Sequence, residues 1–494
     1  MTRKGLIIMK QPNILFLLAD DMGHWALRCA GNTDIQTPNL DRLARQGVRF
    51  DQFFCASPVC SPARASILTG TMPSCHGILD WLDGGSLDRD RLSPETLQYL
   101  PHETVPIQYT DHLTAYTDLL AQSGYQCALV GKWHMGDSMT PQHGFSHWYT
   151  IGGGGVRYFD PEMIENGELA TQKGYITDLI GNHAARCLED FSRGTAPFYL
   201  SVHFTAPHSP WEETDHKKEY LDLYRDSGFT ATPDLPYHPW QVNTCPHGRG
   251  ERRKELLRGY YAAITAMDHQ IGRLMDKLTE LGLSEDTMIF FTSDNGMNLG
   301  QHGIWGKGNG TFPQNMYDSS VKVPFIASWP GHFAQNAVCR ELFSHYDVLP
   351  TICQLSGAPL ATAQRLPGHS FRKWLVRPEL PMDRPVVVFD EYGPVRMIRD
   401  KEWKLVLRYP YGPNELYHLT ADPDETQNLF DDPVFQDQIL TMRRQLEEWF
   451  LSYSDPDLDA RKEGVTGTGQ YCRPGSRAHL VEKYGPMPAP VKDE

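Results

Sequence analysis

The sequence predicts a layered α/β fold. Short, continuously apolar runs alternate with stretches of helical spacing, and each run ends in polar, ligand-type residues. Near residue 375 the texture changes to closely spaced short strands, which marks a smaller second unit.

The first run, Asn13-Ile14-Leu15-Phe16-Leu17-Leu18-Ala19, stops at Asp20-Asp21. Residues 125–130 form the second and lead into Gly131-Lys132-Trp133-His134. Residues 198–205 form the third, ending Ala206-Pro207-His208, and residues 287–293 the fourth, ending Asp294-Asn295-Gly296. Runs of this length without polar alternation fit strands buried on both faces. Ligands bind outside the carboxyl ends of strands in open α/β sheets. If these strands are parallel, Asp20, Asp21, Lys132, His134, His208, Asp294 and Asn295 converge on one edge.

Between the runs, residues 37–47 carry Leu40, Leu43 and Ala44 at helical spacing. Residues 254–281 form a long periodic stretch with Leu257, Tyr261, Ile264, Met267 and Ile271 on one side. Residues 211–253, rich in Pro, His, Asp and Tyr, read as a surface insertion beside a substrate mouth. The division expected is a catalytic domain over 1–377, an antiparallel-sheet and helix unit over 378–453, and a tail over 454–494. In the second unit, residues 386–389, 395–398 and 403–407 are the short strands and residues 440–451 the helix. The polar, Gly- and Pro-rich tail is expected to extend over the surface.

Composition narrows the function. A chain of 494 residues has room for a large core and more than one domain. The net charge of −15 argues against broad nucleic-acid binding, so any anion pocket must be built locally. No apolar run approaches a membrane span, and residues 1–10 make a poor secretion signal. The ten cysteines are scattered, with no zinc spacing, and read as reduced thiols in a cytoplasm.

One of them stands out. Cys60 opens Cys60-Ser61-Pro62-Ala63-Arg64, with Thr69-Gly70 following. Ser61 can cap a helix, Pro62 can begin it and Gly70 can end it, which places Cys60 just outside. A helix N-terminus offers unpaired N–H groups, and Arg64 can face the same anion. The residues therefore describe a nucleophile in an anion pocket. Asp20, Asp21, Asp294 and Asn295 add an all-oxygen set suited to a hard divalent cation. Lys132 adds positive charge, and His134 and His208 are acid–base candidates. His302 is a further substrate-pocket candidate, while His76 reads as structural.

The run Cys60-Ser61-Pro62-Ala63-Arg64 with Thr69-Gly70 resembles the Cys-x-Pro-x-Arg signature of type I sulfatases. Asp20-Asp21, Gly131-Lys132-Trp133-His134, Ala206-Pro207-His208, Ser293-Asp294-Asn295-Gly296 and Gly306-Lys307-Gly308 are similar to further family blocks, in the family order. Glu415-Leu416-Tyr417-His418-Leu419 is similar to the family's second domain. The likeness covers the chain up to the tail. It implies an alkaline phosphatase-like fold: a large mixed, mainly parallel sheet flanked by helices, with a smaller C-terminal antiparallel sheet.

The resemblance also implies a chemistry. Cys60 becomes formylglycine, through a formylglycine-generating or a radical-type maturating enzyme. One hydroxyl of the hydrated aldehyde attacks sulfur and releases an alcohol; the second then expels sulfate. The cation, Ca²⁺ in preference to Mg²⁺, would touch that hydroxyl and a sulfate oxygen, with Cys60 as a fifth ligand position. Arg64, Lys132 and Lys307 would bind sulfate oxygens. His134 would take the second hydroxyl's proton, and His208 would bind sulfate or protonate the leaving oxygen. The implied substrate is a sulfated carbohydrate or aryl sulfate, with Trp133, Trp211, Trp240 and Trp305 as candidate stacking surfaces. The alternatives are a phosphonate monoester or phosphodiester hydrolase of the same fold, and a sulfated-glycan-binding protein without turnover.

Overall fold

A computed structural model describes residues 11–94, 96–382, 388–475 and 482–491. The strands are β1 Asn13–Ala19, β2 Val48–Phe54, β3 Gln126–Gly131, β4 Phe145–Ile151, β5 Glu162–Glu165, β6 Glu168–Thr171, β7 Phe198–His203 and β8 Thr287–Ser293. They continue with β9 Asn298–Leu299, β10 Trp305–Gly306, β11 Phe325–Ser328, β12 Ala337–Ser344, β13 Val388–Tyr392, β14 Val395–Arg399, β15 Trp403–Arg408 and β16 Glu415–His418.

The main sheet has the order β12-β2-β11-β8-β1-β7-β3-β4-β5-β6. Its centre, β8-β1-β7-β3, is parallel throughout. These are the four apolar runs, so their C-terminal ends do share one edge. The sheet is mixed because β11 runs antiparallel to β8 and β2, and β5 runs antiparallel to β4 and β6.

Strand alternation divides the core in two. Ile14, Phe16 and Leu18 of β1 pack on the side of the helices Cys60–Thr69, Tyr116–Gln122 and Val348–Ser356. Leu15, Leu17 and Ala19 face the helices Ile176–Ser192 and Gly250–Glu280. Each fully buried Leu, Ile or Phe in these layers contributes roughly 1.5–3 kcal/mol. The long helix also holds its neighbour Pro38–Arg45: the Asp268 carboxylate accepts the N–H groups of Asn39 and Leu40 at that helix's N-terminus.

Strands β13-β14-β15-β16 form the separate antiparallel meander, with the helix Gln436–Tyr453 packed on it. Residues 383–387 lie outside the described residues, and with them part of the expected strand 386–389. The tail does not simply cover the surface. Val465 joins the core, and Gln470 is fully buried and bridges Leu82. All ten cysteines are free thiols. Among the described residues no helix is long and apolar enough to cross a membrane.

Candidate active site

Cys60 is the first residue of its helix, with Val59 at the N-cap position, rather than lying just outside. Ser61 does not cap the helix; its Oγ accepts the N–H of Leu82. Gly70 ends it as expected, at φ 67°, with its N–H on Ser66 O. All ten residues of the helix are buried, so its unpaired N–H end faces a desolvated pocket floor. The Lys307 Nζ atom lies 3.0 Å from Cys60 Sγ and 2.6 Å from Asp21 Oδ1. Burial pushes the Cys60 thiol above its usual range, against the pull of Lys132 and Lys307. The thiol is therefore a poor source of thiolate.

Asp20 and Asp21 follow β1, and Asp294 and Asn295 follow β8, its neighbour. The turn at Asp21 has φ 66° and is held by Tyr260, whose hydroxyl donates to Asp21 O and accepts from Gly23 N–H. Asp294 Oδ1 accepts the backbone N–H groups of Asp21 and Asn295. Asn295 Nδ2 donates to Asp21 Oδ1, which aims its own Oδ1 elsewhere.

Three cations face the three carboxylates. Lys132 Nζ is 2.7 Å from Asp20 Oδ2, Lys307 holds Asp21, and Arg64 Nε is 2.8 Å from Asp294 Oδ2. Burial pushes the Asp20 carboxyl up to about 8 despite Lys132. Asp21 and Asp294 stay below the usual carboxylate range: burial opposes their charge, but Lys307 and Arg64 respectively outweigh it. Asp20 Oδ1 and Asn295 Oδ1 are buried oxygens with no hydrogen-bond partner. Orphaned acceptors beside clustered carboxylates fit a hard divalent cation. Asp20, Asp294 and Cys60 also bring ligand atoms within 4.8 Å of one another.

His134 has φ 55°, and its Nε2 lies 2.9 Å from Leu82 O. A carbonyl only accepts, so Nε2 carries the hydrogen and Nδ1 keeps a lone pair. Nδ1 is buried and has no partner. Burial, with the nearby Lys132, holds this imidazole neutral, well below its ordinary range. Gly154 makes the placement possible: a Cβ there would lie 2.4 Å from the His134 ring. His208 donates from Nδ1 to Ser209 O, and its Nε2 lies 3.7 Å from Asp21 Oδ2.

These residues line or back a pocket of about 450 Å³ that Cys60, His134, His208 and Lys307 enter directly. Arg64 and Lys132 lie behind, tied to the carboxylates. Arg64 Nη2 has no hydrogen-bond partner and lies 3.6 Å from Asp20 Oδ1. His302 is not brought to the pocket. It stacks on Tyr317 at 3.9 Å, near Tyr417 of the C-terminal sheet, because its positive-φ turn points it away. His76 is buried between Ser66 Oγ and Ile78 N–H. Of the four candidate tryptophans, Trp133, Trp211 and Trp305 are core, and Trp240 lies near the Arg408 guanidinium. The tryptophan in the pocket is Trp81.

Sequence reasoning missed several contributors. His203 donates from Nδ1 to Lys132 O, a carbonyl that Arg64 also holds. It ends β7, so the strand-end pattern could have flagged it. Tyr260 sits on the long helix and the tail's Gly467 and Thr468 line the pocket; neither has a local signal.

A model of the sulfatase family matches residues 12–358, well over half of the chain. The chain belongs to the sulfatase family. A second model, N-sulphoglucosamine sulphohydrolase C-terminal, matches residues 300–451. The chain is 26% identical to an N-acetylglucosamine-6-O-sulfatase of Bacteroides thetaiotaomicron, over 92% of this chain and 88% of that one. It is 31% identical to human arylsulfatase A, over 72% of this chain and 66% of that one. A solved structure in complex with its substrate D-glucosamine-2-N,6-O-disulfate has a TM-score of 0.74 at 24% identity, covering 92% of this chain and all of that one. The phosphonate monoester hydrolase of Agrobacterium radiobacter has a TM-score of 0.65 at 21% identity, covering 88% and 96%. The fold is therefore alkaline phosphatase-like, and this sulfatase is a sulfuric ester hydrolase.

Proposed function

We propose that this sulfatase hydrolyses a sulfate monoester on a sugar, using a formylglycine made from Cys60. The observation that carries the reading is the seating of Cys60: on a buried helix N-terminus, 3.0 Å from Lys307 Nζ, at the end of a pocket. The sugar substrate is supported by relatives whose names specify sulfated amino sugars.

Asp20, Asp21, Asp294 and Asn295 would hold a divalent cation, Ca²⁺ in preference to Mg²⁺. When bound, the cation polarises a sulfate oxygen and acidifies a neighbouring hydroxyl. The hydrated aldehyde supplies the nucleophile.

The chain's own residues do the rest. Lys307 faces the pocket and pairs with a sulfate oxygen. Lys132 and Arg64 fix the carboxylates and keep positive charge beneath the anion. His134 Nδ1, desolvated and unpartnered, accepts the proton that sulfate release requires. His208 presents Nε2 from the pocket wall towards the leaving oxygen; a bound anion raises its proton affinity. Water and the ester are consumed; an alcohol and sulfate leave.

Peptide mass spectrometry of natively produced protein tests the maturation, and sulfate release from monosulfated sugars tests the reaction. A Cys60 peptide found only as thiol, or higher efficiency on a phenylphosphonate monoester than on 4-nitrophenyl sulfate, would sink this reading.

A further inference from the structure

The pocket extends outward from Cys60, and its outer wall is chemically distinct from its floor. Trp81, Asp83, Asn243 and Thr468, half-buried or exposed, contribute to it, backed by the buried Glu103 and Asn309. Lys307, at the sulfate end, is the only lysine or arginine among the described lining residues. Among the described residues the outer wall therefore offers an aromatic face, neutral hydrogen-bonding groups and two carboxylic acids, but no second lysine or arginine. Arg157 lines an adjoining cavity of about 350 Å³, shared with Glu162, beyond Gly153 and Gly155.

The C-terminal segment builds this wall and is locked in place. Asp80 Oδ2 accepts the N–H groups of Gly467 and Gly469, and Asp80 Oδ1 accepts the Tyr392 hydroxyl. Gly467 O accepts from Trp81 Nε1 at 3.1 Å and from Asn309 Nδ2 at 2.9 Å. Gly467 has φ 85°, and a Cβ there would lie 2.9 Å from Asn309 Cβ. Gln470 pins the next turn by accepting from Leu79 N–H and Asp80 N–H. Asp83 is held by His102 at 2.7 Å, and His102 stacks on Tyr471. Glu103 accepts from Ser86 N–H and Leu87 N–H.

We propose that this wall selects a sugar whose only anionic group is the sulfate that is cleaved, with the Gly467–Thr468 segment and Asp83 as specificity determinants. The proposal rests on the sulfatase reading above. A second sulfate or a uronic carboxylate on the same ring would meet carboxylates and an indole where a counter-charge is needed. A neutral or amino sugar can lay its apolar face on Trp81 and hydrogen-bond to Asn243, Asn309 and Thr468.

The test uses full-length enzyme whose Cys60 peptide is verified as converted. Sulfate release is measured from 4-nitrophenyl sulfate, an N-acetylhexosamine monosulfate, and the same sugar carrying a second sulfate. The monosulfated sugar should exceed the disulfated one in kcat/KM by about tenfold or more. Asn243→Lys, at an exposed position of the wall, should narrow that gap several-fold. Asp83→Asn should narrow it in the same direction. Equal or higher efficiency on the disulfated sugar overturns the proposal and leaves the sulfatase reading standing. So does a gap that neither variant moves. No release from any of the three substrates overturns both.

Discussion

Lys307 Nζ bridges Cys60 Sγ, at 3.0 Å, and Asp21 Oδ1, at 2.6 Å. One ammonium thus touches both the proposed maturation site and a candidate metal ligand. Burial works against its charge, but Asp21 and the neighbouring acids outweigh this and keep it protonated.

Replacing Lys307 by alanine should therefore act twice. It removes a cation from the sulfate and leaves Asp21 uncompensated. We expect a loss of about 10²–10³ in kcat and a destabilisation of roughly 3–5 kcal/mol. Steady-state kinetics and denaturant unfolding check the two parts; an active, equally stable variant would refute the assignment.

Gly154 predicts the behaviour of His134. A methyl group at Gly154 would sit 2.4 Å from the imidazole and must displace it. Gly154→Ala should lower kcat in the same direction as His134→Gln, which removes the free Nδ1 lone pair and should cost about 10²–10⁴. Circular dichroism confirms that both variants remain folded. A Gly154→Ala enzyme with normal kcat would mean that the ring position does not matter.

The proposed cation would be held by the orphaned oxygens of Asp20 and Asn295 beside Asp21 and Asp294. Equilibration with a chelator should abolish activity and lower Tm, and Ca²⁺ should restore both. At a free-ion concentration of 100 Kd the stabilisation is about 2.7 kcal/mol. Asp294→Asn should weaken the Ca²⁺ dependence of Tm. A Tm indifferent to chelator would remove the metal from the model of the site.

Acid should unfold this protein through buried histidines. Burial holds His76 and His345 down to about 3 in the fold. The unfolded side chain titrates near ~6.5. Protons therefore bind the unfolded chain more readily below that value. Stability is fully present above about pH 6.5 and falls as pH drops towards 3, by up to about 1.4 kcal/mol per pH unit for each such histidine. Urea titrations at pH 7.5, 6 and 5 measure the slope. A flat profile would show that these rings are not neutral and buried.

Much of the site was legible because its residues follow strands with an unmistakable apolar signature. Asp20, Lys132, His208 and Asp294 each stand at or just beyond the end of such a run. His302 misled because a histidine among glycines looks like a loop ligand; its positive φ turns it onto Tyr317. The tryptophans misled because aromatic residues serve cores as well as ligands, and nothing local separates Trp133 from Trp81.

By itself the sequence determined the α/β class, the four central strands and the Cys60 motif, since apolar runs and short-range spacing are local properties. Strand order, the second role of Arg64 and the tail's place in the pocket came only from tertiary structure. Arg64 meets Asp294 across 230 positions and Asp80 meets Gly467 across 387. Contacts at such separations depend on which strands lie side by side, and no local pattern encodes that.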